Sequence, residues 1–151
     1  MSPVIEYTSS KFIKKLKSTD KFSAIEELAR VFEGSDICSD VPSLITALKE
    51  REEILSTGIG MGIAIPHAKV NAVNEMAFAI GISRKGINFD SLDGNPAKLI
   101  ILVAAGERQH KDYLRLLSNI MAILKNEKIK NTLIEADSSE TIMTILKSKE
   151  N

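Results

Sequence analysis

Leu99-Ile100-Ile101-Leu102-Val103-Ala104-Ala105 is apolar at every position. A run this short, with no polar alternation, reads as a strand covered on both faces. Working outward, Asp93-Gly94 and Pro96 mark a turn before it. Residues 76–83 (Met-Ala-Phe-Ala-Ile-Gly-Ile-Ser) form a second strand candidate. Further upstream, Ile63-Ala64-Ile65 is a short apolar run that Pro66 should end, because proline donates no ladder hydrogen bond. Residues 12–17 (Phe-Ile-Lys-Lys-Leu-Lys) are a short, ambiguous strand candidate.

Helical spacing frames these strands. Phe22, Ile25, Leu28, Ala29 and Phe32 repeat at helical period after the capping residues Ser18-Thr19-Asp20, and Gly34 offers a stop. Asp40 precedes a second helix carrying Leu44, Ile45, Leu48 and Ile54. Tyr113, Leu116, Leu117, Ile120, Met121 and Leu124 mark a long amphipathic helix. Shorter helices run through Ile129, Leu133 and Ile134, and from Ser138 through Ile142, Ile145 and Leu146. The expected fold is an α/β single-domain sandwich, a small mixed sheet flanked by helices on both faces. One domain should span residues 1–151, with residues 1–10 loosely held.

The bulk composition excludes several classes. Hydrophobic residues make up 44% and charged residues 26%, so a core can form without disulfides or metals. Twenty basic residues balance twenty acidic ones, which argues against a general nucleic-acid coat. The single Cys38 reads as a small apolar or loop residue and cannot form an internal disulfide. No stretch approaches the roughly 18 apolar residues of a membrane span, so membrane insertion is not expected. Met1-Ser2-Pro3-Val4-Ile5-Glu6 carries no signal-peptide pattern, which points to the cytoplasm.

Only two histidines are present, His67 and His110. Histidine is the side chain whose nucleophilicity switches near neutral pH. His67 directly follows an apolar strand and a proline, and His110 follows the buried run 99–105 at the start of the long helix. Both should lie at sheet ends and could share one rim. The plainer reading of each is a surface or satisfied histidine. Arg51 lies just upstream of the glycine stretch Thr57-Gly58-Ile59-Gly60-Met61-Gly62. A guanidinium suits a phosphoryl group, although an exposed helix arginine is the ordinary case.

The glycines fail two phosphate-loop tests. Gly58-x-Gly60-x-Gly62 has Ile63 where a dinucleotide fingerprint needs a small residue, and a strand follows instead of a helix. No Gly-Lys-Ser/Thr is present. On spacing alone the stretch is a flexible loop with turn glycines. No Gly-x-Ser-x-Gly elbow and no His-Glu-x-x-His occurs, and a structural zinc site is not expected. Glu52-Glu53 reads as a solvated helix face, and Lys14, Lys15 and Lys17 read as solvated charges.

Arg51 to Ala68, above all Gly60-Met61-Gly62-Ile63-Ala64-Ile65-Pro66-His67-Ala68 with an acidic residue at Glu52, resembles the active-site signature of the mannitol/fructose-class enzyme IIA domains of the bacterial phosphotransferase system. Phe89-Asp90-Ser91-Leu92-Asp93-Gly94, residues 99–105 and His110-x-x-x-Leu114-x-x-Leu117 also fall where that family has them. The resemblance covers nearly the whole chain and is strongest to the nitrogen-regulatory branch. Two departures stand out. Ala68 replaces the usual glycine after the histidine, and Gly106-Glu107 stands where many relatives have a proline, so the loop before His110 could be shaped differently.

The resemblance implies a phosphocarrier. His67 would accept a phosphoryl group on Nε2 from a phosphorylated HPr-like carrier protein. Arg51 would stabilise the phosphoryl oxygens and His110 would be a neighbouring donor. N–H groups around Gly60, Met61 and Gly62 would add to the phosphoryl or partner contacts. The other nitrogen of His67 needs an acceptor that the sequence does not identify. No metal or organic cofactor is implied. Ile59, Met61 and Ile63 are candidates for an apolar docking surface, or for core packing. Three uses remain open: a nitrogen or metabolic regulator, a transport component passing phosphate to a IIB domain of a sugar permease, and a purely binding module.

Overall fold

The computed structural model describes residues 3–149. Their strands are β1 (Ile13–Lys15), β2 (Gly58–Gly60), β3 (Ile63–Ala64), β4 (His67–Lys69), β5 (Ala77–Ile87) and β6 (Ala97–Ala105). Their α-helices are α1 (Lys21–Ala29), α2 (Val41–Ile54), α3 (His110–Leu124), α4 (Glu127–Glu135) and α5 (Ser139–Ser148). The strands form one mixed sheet in the order β1-β5-β6-β3-β2, with β4 also paired to β6.

The apolar run of β6 fills two cores. Leu99, Ile101, Val103 and Ala105 pack with Tyr113, Leu116, Ile120, Leu133, Ile142 and Leu146 of α3, α4 and α5. Ile100, Leu102 and Ala104 pack with Ile25, Leu28, Leu44 and Leu48 of α1 and α2. Alternate side chains of a strand point to opposite faces, so an unbroken apolar run needs a helical layer on each. Both layers are present, as the sequence predicts. Side-chain caps fix the helix starts. Asp20, Asp40, Asn126 and Ser138 each accept from a backbone N–H in the first turn of the helix that follows. Such a cap typically contributes about 1 kcal/mol.

The N-terminal segment departs from expectation. Met1 and Ser2 lie outside the described residues, but Val4–Tyr7 and Ser10–Phe12 form two short 3-10 turns rather than a loose tail. Val4 is buried in the α3–α5 core, and the Thr8 hydroxyl donates to the Phe78 carbonyl at 2.8 Å. An apolar side chain four residues from the start is enough to tie the segment to the sheet.

The glycine stretch is also ordered differently. Gly58–Gly60 is a strand, antiparallel to β3, and residues 61–62 make the turn. Met61 and Gly62 both take positive φ, 58° and 78°. The left-handed conformation of Met61 is held from both sides. Its N–H donates to the Asp93 carboxylate at 2.9 Å, and its carbonyl accepts from the buried Lys130 ammonium at 2.5 Å.

One register relationship positions the site. Ile63 pairs with Leu99 and Ala64 with Ile100, while His67 pairs with Val103 and Lys69 with Ala105. The offset is the same throughout, so β3 and β4 are one strand interrupted at Ile65-Pro66. Proline removes a donor and splits the ladder without slipping the register. His67 therefore begins a strand; the sequence reading placed it after one.

Candidate functional site

Alternation along the interrupted strand fixes which way His67 faces. Ile63 and Ile65 belong to the core beneath α3, Ala64 and Ala68 to the opposite one. His67 and Lys69 thus share the α3 side. The contacts agree: the His67 ring centroid lies 5.6 Å from that of Tyr113, and the Lys69 ammonium sits 5.5 Å from the same Tyr113 centroid. His67 is half-buried at the carboxyl end of β6, the edge where open α/β sheets usually place their sites.

The His67 ring is oriented by its own backbone. Its Nδ1 lies 2.9 Å from the Ile65 carbonyl. A carbonyl can only accept, so Nδ1 carries the proton and Nε2 keeps its lone pair. The Ile65 peptide is fixed in turn, because its N–H donates to the Thr57 carbonyl at 3.0 Å. Thr57 is anchored by Glu52, whose carboxylate accepts from the Thr57 N–H at 2.8 Å and from its hydroxyl at 2.5 Å. The acceptor that the sequence did not identify is therefore the Ile65 carbonyl, backed through Thr57 by Glu52.

Glu52 corrects the reading of a solvated acidic pair. Glu53 is exposed, but Glu52 is 2% exposed. Its partners are Thr57 and the Lys21 ammonium at 3.6 Å. A signal was present, since Glu52 lies one helical turn after Leu48 on the buried stripe of α2. Lys14 is likewise paired, with Glu27 at 2.9 Å.

Burial of the ring pushes the His67 pKa below 6.5. The bond to the Ile65 carbonyl pulls the other way, as does the charge of Glu52, while Arg51 and Lys69 push it further down. The result is a neutral imidazole with a free Nε2, the state a nucleophile requires. Tyr113 is buried beside it, and desolvation raises its pKa to about 12, so it stays a neutral wall of the site.

Arg51 is close enough for its charge to act on both His67 and Tyr113. One terminal nitrogen donates to the Leu55 carbonyl at 2.7 Å, across the end of α2. That bond steadies a long side chain and leaves the rest of its donor fork available. His110 begins α3, with its ring centroid 6.3 Å from that of Tyr113. The preceding loop is a tight turn: the Gln109 N–H donates to the Gly106 carbonyl at 3.1 Å, and the Gln109 side chain accepts from the Gly106 N–H at 2.6 Å. With glycine in place of proline, the loop still brings His110 to the rim.

Gly60, Met61 and Gly62 do not join this group. The Gly62 carbonyl meets the N–H groups of Lys98 and Leu99. His67 pairs with Val103, four residues along β6 and about 13 Å away. The Met61 N–H is already taken by Asp93. The hairpin carries these residues, read from the resemblance as phosphoryl or partner contacts, to the other end of the strand from His67. The apolar docking candidates need revision too. Ile63 is fully buried, and Ile59 packs against the core. Exposed apolar side chains close in sequence to Arg51 and His110 are Ile54 (80%), Leu55 (67%) and Leu114 (50%). The first two follow Arg51 on α2, and Leu114 lies one turn after His110 on α3.

Comparison with known families decides what kind of domain this is. The sequence model of the family described as "Phosphoenolpyruvate-dependent sugar phosphotransferase system, EIIA 2" matches residues 7–149. The chain belongs to this family. As an EIIA 2 domain it has relatives of two kinds. It is 38% identical over 131 residues to the fructose-specific EIIABC component of Bacillus subtilis, covering 87% of this chain and 21% of that protein. It is 36% identical over 126 residues to the fructose-specific EIIA component of Haloferax volcanii, covering 83% of this chain and 82% of that protein. Among solved structures, the nitrogen regulatory protein IIA-Ntr of Neisseria meningitidis superposes with a TM-score of 0.87 at 26% identity, covering 95% of this chain and 98% of that one. Among the described residues of this EIIA 2 domain, no helix is long and apolar enough to cross a membrane.

Proposed function

We propose that this EIIA domain is a phosphocarrier that accepts a phosphoryl group on Nε2 of His67 from a phosphorylated HPr-like carrier protein. The bond between His67 Nδ1 and the Ile65 carbonyl carries the reading. The Nε2 lone pair attacks phosphorus in line as the donor's N–P bond breaks. The ring then carries a phosphoryl group on Nε2 and a proton on Nδ1, and gains positive charge. The Ile65 carbonyl faces that proton and stabilises the charge as it develops. Transfer between two nitrogens needs no proton removed at Nε2, so the protein's task is positioning and charge stabilisation. Arg51 supplies a permanent cation for the phosphoryl oxygens, and His110 a donor on the opposite side.

Ile54, Leu55 and Leu114 supply exposed apolar surface on which the carrier docks. A half-buried imidazole at the rim of the sheet, with exposed apolar side chains on the neighbouring helices, suits transfer between proteins better than turnover of a small molecule. The domain acts as a nitrogen or metabolic regulator, in keeping with the 0.87 superposition on a nitrogen regulatory protein. Phosphorylation adds up to about two negative charges at the rim, enough to alter which partner it binds. The identities of 38% and 36% to fructose-specific components favour a second reading, in which the phosphoryl group passes on to a IIB domain.

Incubation with a phosphorylated carrier, followed by intact-mass measurement, tests the reading. One added phosphate is expected in the wild type and none in a folded His67→Ala variant. Label retained by that variant would refute it. Loss of the label on adding a IIB domain selects transport, and stable label selects regulation.

A further inference from the structure

Lys69 belongs to the site, although nothing in the signature singled it out. It is the third residue of β4, and the two-residue period places it beside His67 on the α3 side of the sheet. Its ammonium lies 2.7 Å from Nδ1 of His110. An ammonium has donors only, so at this distance His110 Nδ1 must be the acceptor, and the ring proton sits on Nε2. The face of Tyr113 under the Lys69 ammonium helps to hold it in place.

We propose that Lys69 is a positioning residue that locks His110 in the Nε2–H tautomer, so that His110 offers a hydrogen-bond donor to the phosphoryl group on His67. The inference rests on the phosphocarrier reading for its purpose, but the lock itself is a property of the free domain. The two histidines are then set in opposite tautomers. The Ile65 carbonyl draws the His67 proton to Nδ1 and leaves Nε2 nucleophilic. Lys69 occupies Nδ1 of His110 and leaves Nε2 as a donor. With its proton on Nδ1, His110 would present a lone pair to an anionic phosphoryl group and repel it.

The arrangement explains why His110 works at the first position of α3. Its side chain emerges from a loop–helix junction, where packing alone gives weak control over a ring. A partner on the neighbouring strand supplies the control that packing lacks, as outer partners do for other site histidines. Because Lys69 is exposed, its replacement leaves both cores intact.

Two measurements test the proposal. Long-range proton–nitrogen NMR on histidine-labelled protein, above the titration of both rings, reads each tautomer directly. The wild type should show His110 wholly in the Nε2–H form. Lys69→Met should move its Nδ1 resonance toward the mixed tautomers of a free imidazole, Lys69→Arg should restore the locked form, and His67 should be unchanged in all three. A wild-type His110 protonated on Nδ1, or a spectrum indifferent to Lys69→Met, overturns the lock whether or not the chain accepts phosphate. In the transfer assay Lys69→Met should slow labelling by roughly tenfold, the scale expected when a partner orienting a site histidine is lost. In a His110→Ala background the same change should cost little more. Full additivity would mean that Lys69 acts directly on the phosphoryl group, and would contradict the proposal.

Discussion

The Nδ1–H of His67 donates to the carbonyl of Ile65, two residues back in its own chain, across 2.9 Å. The strand's two-residue period allows the bond: the carbonyls of Gly62 and Pro66 face β6, that of Pro66 accepting from the Val103 N–H at 3.0 Å, so the Ile65 carbonyl points away from β6.

A first prediction concerns pH. Burial favours the neutral ring, so the folded-state pKa of His67 lies below the value of 6.5 expected in the unfolded chain. Between those two values the unfolded chain binds more protons, so stability rises with pH through the window. The contribution is complete above 6.5 and is lost as pH falls toward the folded value. NMR titration should find the His67 midpoint below 6.5, and denaturation across that window should show a stability slope that His67→Ala lessens.

The Glu52 carboxylate is a buried polar anchor behind the Ile65 carbonyl, held through Thr57. Glu52→Ala would strand the N–H and hydroxyl of Thr57 and leave Lys21 without its buried partner. Chemical denaturation should report a loss of about 3 kcal/mol. Glu52→Gln keeps an acceptor for Thr57 and should cost less. A loss under about 1 kcal/mol for the alanine variant would contradict the role assigned to this pair.

Gly58 is required for close approach. A Cβ there would overlap Ser91 Oγ and would lie 3.0 Å from Phe89 Cβ and 3.1 Å from Ser91 Cα. Gly58→Ala should destabilise by about 1–3 kcal/mol, the usual range for overpacking against backbone. Ser91→Ala should do the reverse. The Ser91 hydroxyl is buried with no hydrogen-bond partner among the described residues, so removing it should be neutral or stabilising by up to about 1 kcal/mol. Thermal unfolding of the two variants checks both signs.

The docking surface can be separated from the hairpin. Leu55→Asp places a charge on the apolar ridge beside Arg51 and should raise KM for the phosphorylated carrier by about tenfold with stability unchanged. Met61 is also exposed, at 46%, but lies at the far end of the strand. Met61→Asp should leave the transfer kinetics alone. Equal effects from both would show that the carrier does not dock through Leu55.

The architecture was legible where one physical requirement left a single solution. An unbroken apolar run at residues 99–105 demands cover on both faces, and amphipathic helices on either side of it in sequence supply that cover. A histidine after a strand-ending proline was legible as a candidate nucleophile for the same kind of reason. Lys69 was not, because Pro66 hides the strand that continues beyond it, and without that strand the two-residue period joining Lys69 to His67 cannot be seen. Glu52 could have been found from its spacing to Leu48, but its neighbour Glu53 made the pair look solvated. The glycines misled in the other direction. The family resemblance implies phosphoryl or partner contacts there, whereas the sheet register sends them to the opposite end from His67.

The central claim is that Nε2 of His67 is the atom that receives the phosphoryl group. The most direct measurement is nitrogen-detected NMR of the histidine rings before and after reaction with a phosphorylated carrier. The account predicts that a single ring, that of His67, becomes phosphorylated, with phosphorus on Nε2 and a proton retained on Nδ1 against the Ile65 carbonyl. Phosphorus on Nδ1 of His67, or on His110, would contradict it.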